Sequence, residues 1–165
     1  MKPLLYLDQN YLSGIVKRKT GFWDLEPVLR TAVERGAVGV PESEAHRLES
    51  RTCPGLPLLK LLRELSAGLE LSHASGDLRR DCERRLQTVL DRDFPERNQR
   101  ASDHLDVRAL SAALPHCRLV TCDALVADVV SRSGLPRRFR CELYSGRRAD
   151  IEKLRLRLEG LCEAP

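Results

Sequence analysis

Pro3-Leu4-Leu5-Tyr6-Leu7-Asp8 opens the chain with an apolar run too continuous for a half-exposed strand and too short for a helix. It reads as a buried parallel strand that ends on a carboxylate. Two more runs share this character: Ala37 to Val40, stopped by Pro41, and Arg118 to Thr121, which carries Leu119 and Val120 at its centre and halts just before Asp123. Phe139 to Tyr144 alternates through Phe139, Cys141 and Leu143 and reads as an edge strand.

Helical spacing fills the intervals. Asp24 to Arg35 places Leu25, Val28, Leu29, Ala32 and Val33 three and four apart, with Gly36 as a stop. Leu56 to Leu65, Leu78 to Leu90, Leu105 to Leu114, Ala124 to Val130 and Ile151 to Leu161 repeat such a stripe. Short strands alternating with helices predict an α/β fold of three layers, α/β/α, around a mostly parallel central sheet of four to five short strands. The polar stretch Asp91 to Ser102 reads as a surface loop.

At 165 residues and 42% hydrophobic content the chain has material for one core, so a single domain over 1–165 is expected. No run reaches the ~20 apolar residues of a membrane helix, and the first residues are charged too soon for a signal peptide. A cytoplasmic location without membrane contact is the expectation. Cys53, Cys82, Cys117, Cys122, Cys141 and Cys162 form no Cys-x-x-Cys pair and match no zinc spacing, so they read mostly as free thiols.

In an open parallel sheet, ligands bind beyond the carboxyl ends of the strands, and acids stand at three such places. Asp8 closes the first run, Asp123 follows the third, and Glu42, Glu44 and Glu49 follow the second. A fourth acid comes from helical phase: Asp106 shares its stripe with Ala109, Leu110 and Ala113, and Asp103 lies one turn earlier. If Ser43 caps a helix beginning at Glu44, both Glu44 and Glu49 can reach the site, and Glu49 is preferred. Each aspartate also has a plain reading, since Asp8 and Asp123 are placed to cap the helices that follow them. Several carboxylates converging on one sheet edge repel strongly and call for a cation. Hard Mg²⁺ or Mn²⁺ takes carboxylate oxygens and activates water against a phosphodiester, with no protein nucleophile needed. Glycine-rich phosphate loops, nucleophile elbows and His-Glu-x-x-His are absent from the sequence.

These residues resemble a known family. Leu7-Asp8-Gln9-Asn10 is similar to the opening of PIN domains, and Pro41 to Glu49 resembles their second motif, a serine near a strand end with a glutamate six residues on. Asp106, an alanine- and leucine-rich helix, and Leu119-Val120-Thr121-Cys122-Asp123 resemble the third and fourth motifs. The likeness is to stand-alone bacterial PIN-like proteins, with an enlarged helical segment from Gly55 to Ser102. It implies an acidic site of Asp8, Glu49, Asp106 and Asp123 that holds Mg²⁺ or Mn²⁺, with Asn10 and Thr121 as polar support and Asp103 and Glu44 nearby. It also implies metal-dependent nuclease activity, most often on RNA, and many small members are toxins neutralised by an antitoxin.

The net charge of +4 is only mildly basic, but arginine far outnumbers lysine, and its planar fork suits phosphate. Arg79, Arg80, Arg100, Arg147 and Arg148 are the candidates for a nucleic-acid backbone; solvated helix faces are the plain alternative. Seven aromatics in the whole chain argue against readout driven by base stacking. The partners to expect are nucleic acid, RNA before DNA, then an antitoxin or other protein, or a second copy of the chain. Two other functions compete: an inactive PIN-like module that binds RNA or protein, and an aspartyl phosphatase of the haloacid-dehalogenase kind. The latter wants a second aspartate where Asn10 stands. His46, one turn before Glu49, and His104 are in reach of the acids, and surface or structural roles are expected for both.

Overall fold

The computed structural model describes residues 2–51, 55, 57–71, 75–96 and 101–163, with backbone alone at 101 and 102. Its elements are β1 (Leu5–Tyr6), α1 (Gln9–Val16), α2 (Phe22–Glu34), α3 (Glu44–Ser50), α4 (Leu58–Ser66), α5 (Gly76–Asp93), α6 (Ala101–Ala113), β2 (Leu119–Thr121), α7 (Ala124–Arg132), α8 (Leu135–Phe139), β3 (Glu142–Tyr144) and α9 (Arg148–Glu163). The fold is mixed α/β, with helices packed around a small parallel sheet in the order β1-β2-β3.

Register explains how two cores form. Leu5 pairs with Leu119 and Tyr6 with Val120, and Val120 pairs in turn with Leu143. Side chains alternate across a strand, so the pairs divide between the faces. Leu5, Leu119 and Tyr144 join a core with Tyr11 and Leu12 of α1, Leu25 and Leu29 of α2, Leu58 and Leu62 of α4, and Leu154 and Leu158 of α9. Tyr6 and Val120 join the opposite core with Leu86 of α5, Leu110 and Ala113 of α6, and Val129 and Val130 of α7. Each fully buried leucine or valine contributes about 1.5–3 kcal/mol, so both faces are anchored by transfer of apolar surface from water.

The sheet is smaller than the sequence predicts. Among the described residues it has three strands, not four or five. The run Ala37 to Val40 lies beside β1 as expected but joins it through one parallel bridge, Leu4 to Gly39. That bridge is made by Leu5 N–H to the Gly39 carbonyl at 2.8 Å and Gly39 N–H to the Pro3 carbonyl at 3.0 Å. The physical reason is the flanking prolines: neither Pro3 nor Pro41 has an N–H with which to extend the ladder. Beyond Pro41 the backbone pairs elsewhere, Glu42 bridging to Glu70.

Two other boundaries move. Asp91 to Asp93 belong to α5 and α6 starts at Ala101, so the expected loop is partly helical; 97–100 lie outside the described residues. The first half of the expected edge strand Phe139 to Tyr144 is taken by the end of α8, which leaves β3 three residues long. Ser43 caps α3 as predicted: its hydroxyl accepts from the His46 N–H. Cys82, Cys117 and Cys122 are buried free thiols and Cys141 and Cys162 half-buried ones, whereas Cys53 lies outside the described residues. Among the described residues no helix is long and apolar enough to cross a membrane.

Candidate functional site

The end of β1 supplies the first acid. Asp8 caps α1, its Oδ2 accepting the Asn10 N–H at 3.1 Å, and its own N–H donates to Thr121 Oγ1 at 2.7 Å. The Thr121 hydroxyl in turn donates to the Tyr6 carbonyl at 3.1 Å. A buried threonine at the end of β2 thus ties down the chain on both sides of Leu7. Two residues on, Asp123 caps α7, its Oδ1 accepting the Val126 N–H at 2.8 Å. Both aspartates therefore do what the plain reading of the sequence gave them, and capping leaves a carboxylate oxygen on each beyond the one engaged.

Helices α3 and α6 bring in the other two acids. Glu49 is buried on α3, and Asp106 is half-buried on α6, which packs against α3. Electrostatics links these acids in part: Asp8 feels the charges of Asp106 and Asp123, and Glu49 those of Asp8 and Asp106. Burial pushes Asp8 up to about 7, with the charges of Asp106 and Asp123 adding to it and the N–H groups of Asn10 and Gln9 opposing. Burial takes Glu49 up to about 8, aided by the charges of Asp8 and Asp106. The buried Cys122 thiol, between Thr121 and Asp123, is raised by burial and then by Asp8, Asp123 and Asp106. Among the described residues no group of three or more His, Cys, Asp or Glu side chains is arranged to hold a metal ion as it stands.

The two candidate glutamates stand in different surroundings. Glu44 is exposed in the first turn of α3 and lines a groove with Leu48, Leu105 and Arg108, whereas Glu49 senses Asp8 and Asp106. Asp103 is buried and lines a small apolar recess with Leu86, Leu90, Val107 and Val129, toward α5 and α7. His104 is exposed.

Asn10 sits against the turn after β3: its Nδ2 is 2.6 Å from where a Cβ on Gly146 would stand, so a side chain at 146 would displace it. Next to that glycine, Ser145 accepts the Tyr11 hydroxyl on its carbonyl at 2.5 Å and donates its N–H to Asp150 Oδ2 at 3.0 Å. Sequence reasoning passed over Tyr11, Ser145, Gly146 and Asp150. The cue available was Ser145-Gly146 between a strand and a helix, a common turn composition with little specificity of its own.

Comparison of the chain with protein-family models, curated proteins and solved structures gave no match.

The candidate phosphate-binding arginines separate into groups. Arg79 lines the α3–α6 groove and pairs with Glu83 at 3.0 Å, and Arg80 is exposed and pairs with Asp77 at 2.6 Å. Arg147 and Arg148 are exposed at the turn that carries Gly146, Arg147 pairing with Asp128 at 3.4 Å. Arg100 lies outside the described residues. Much of the remaining arginine run is structural: Arg84, Arg85 and Arg138 converge on Asp81, joining α5 to α8 and holding that carboxyl down at about 2.

His46 has a defined structural role. Its ring is buried and stacks on Tyr6 with centroids 4.9 Å apart. Nδ1 accepts the Ser43 N–H at 3.0 Å, so the proton sits on Nε2, which donates to the Leu7 carbonyl at 2.7 Å. Burial lowers this imidazole to about 4, and it stays neutral at ordinary pH.

Proposed function

We propose that the chain is a cytoplasmic, divalent-metal-dependent nuclease of the PIN-like kind, acting on RNA before DNA, with Asp8, Glu49, Asp106 and Asp123 as the acidic site. The observation that carries this reading is that Asp8, at the end of β1, feels the charges of Asp106 on α6 and Asp123 after β2, while Glu49 on α3 feels those of Asp8 and Asp106. Carboxylates that feel one another's charge disfavour ionisation, and a divalent cation bound among them would relieve that cost.

The donor set fits Mg²⁺ or Mn²⁺, since it is made of hard carboxylate oxygens and no sulfur or imidazole is needed. A divalent ion there would neutralise charge on the phosphodiester and supply Lewis acidity to the hydrolysis. The chain's own residues prepare the place. Thr121 fixes the Asp8 peptide, the caps at Asp8 and Asp123 fix their side chains, and α3, which bears Glu49, packs on α6, which bears Asp106. Asn10 stands next to Asp8, and Arg147 and Arg148 on the neighbouring turn are free of the core to bind a backbone phosphate.

The test is cleavage of single-stranded and structured RNA by purified protein with Mn²⁺, with Mn²⁺ plus EDTA, and with D8N. Cleavage that needs the metal and vanishes in D8N is expected. A second reading, an inactive PIN-like module that binds RNA or protein, is favoured by the absence of a ready-made metal-holding group among the described residues. RNA binding that is unchanged by EDTA and by D8N, without cleavage, would decide for it.

A further inference from the structure

The peptide unit joining Leu7 to Asp8 is gripped at both of its polar ends. Its carbonyl accepts from His46 Nε2 at 2.7 Å, and its N–H donates to Thr121 Oγ1 at 2.7 Å. His46 lies one turn before Glu49 on α3, and Thr121 lies two residues before Asp123 after β2. One plane therefore links three of the acid-bearing segments. On the far side of Asp8, the Gln9 side chain reaches the Glu49 carbonyl at 3.5 Å. Asp8 is thus bracketed by contacts to α3 through both of its chain neighbours.

We infer that His46 is a positioning residue of the acidic site, setting where Asp8 stands relative to Glu49 by clamping the Leu7 carbonyl to the start of α3. This rests on the acidic site proposed above. A trans peptide is rigid, so holding its oxygen and its N–H together fixes its rotation, and with it the direction in which the Asp8 Cα–Cβ bond leaves the strand. Like charges do not gather unaided; something must oppose their separation. The stack on Tyr6 and the Ser43 N–H on Nδ1 hold the buried imidazole by its face and its other nitrogen, so the clamp is stiff. A histidine with only a core-filling role would be replaceable by any apolar group of similar size, whereas this role requires a donor at the Nε2 position.

The test is Mn²⁺ affinity of the full-length chain by calorimetry, with folding checked by circular dichroism, for the wild type, D8N, H46Q, H46L and H46N. Glutamine places an amide N–H near the Nε2 position. Leucine fills space without a donor, and asparagine keeps a polar group by Ser43 but is too short for Leu7. The expected result is Mn²⁺ binding in H46Q within about threefold of wild type, and binding at least about tenfold weaker in H46N and in H46L, with the fold retained. H46N reads the same quantity should H46L not fold. Wild-type affinity in H46L or H46N overturns the positioning role while leaving the acidic site standing. Wild-type Mn²⁺ binding that D8N does not weaken overturns the acidic site itself, and the positioning role with it.

Discussion

Glu49 is raised to about 8 by burial and next by the negative charge of Asp8, a residue at the end of a strand that α3 packs beside. Asp8 is itself raised to about 7, mainly by burial and then by Asp106. Carboxyls with folded values above their ordinary ones favour the fold while protonated. Their contribution is complete below about pH 4, where the unfolded chain is also protonated, and is lost as pH climbs through about 7 to 8. In EDTA, then, thermal stability should fall as pH climbs from 5 to 8.5. Melting curves across this range provide the check, and a transition temperature that rises with pH would contradict the clustering of these acids.

Divalent cations should reverse that trend. At pH 8, Mn²⁺ at a hundred times its Kd should stabilise by about 2.7 kcal/mol, which is roughly 5–10 °C for a chain of this size. At pH 5 the gain should be small, because protons compete for the same oxygens. In D8N the Mn²⁺ gain should vanish while the metal-free protein melts no lower than wild type at pH 8. Asparagine caps a helix as well as aspartate does, and one repelling charge is gone. Nuclease turnover in D8N should fall by about two orders of magnitude or more.

T121V tests the hinge between the first two strands. Valine matches the shape of threonine but leaves the Asp8 N–H and the Tyr6 carbonyl without their shared hydroxyl, at a cost of about 1–3 kcal/mol. T121S should recover most of this loss. Chemical denaturation of the three proteins measures it, and equal midpoints for T121V and wild type would show that the hydroxyl is dispensable.

G14A tests the packing of α1 on α2. A Cβ at 14 would stand 2.5–2.8 Å from the ring of Phe22, which is buried and meets Tyr11 edge-on at 5.1 Å. Alanine ordinarily favours a helix over glycine by about 1 kcal/mol, so this substitution sets propensity against overlap. Overlap should win, with a net loss of about 1–3 kcal/mol. A stabilised G14A would mean that Phe22 yields easily.

The parts of this fold that were legible in the sequence are those where one physical rule acts alone. Continuous apolar runs marked β1 and β2, and Ser43 marked the start of α3, the helix on which Glu49 is buried. Asp106 stood out because an acid on an apolar stripe has few explanations, and its charge acts on Glu49. What was misread involved competition between rules. Ala37 to Val40 has strand composition, but its neighbours lack the N–H groups a ladder needs. Phe139 alternates well with Cys141 and Leu143, yet Gly134 and Pro136 start a helical turn first. His46 was illegible as more than a structural histidine because its partner, the Leu7 carbonyl, is a backbone atom, and backbone acceptors leave no mark on composition. Ser145, Gly146 and Asp150 act through a turn whose residues are ordinary turn residues.

The single bridge at Leu4 and Gly39 also shapes how the molecule meets its own kind. A parallel sheet left with an open flank offers a template on which other chains can polymerise. Here the margin of β1 is closed by Gly39 over one bridge, and Pro41 blocks extension of that pairing at one end while Pro3 does so at the other. The same prolines that shrink the sheet therefore leave this margin few backbone amides with which an incoming strand could pair.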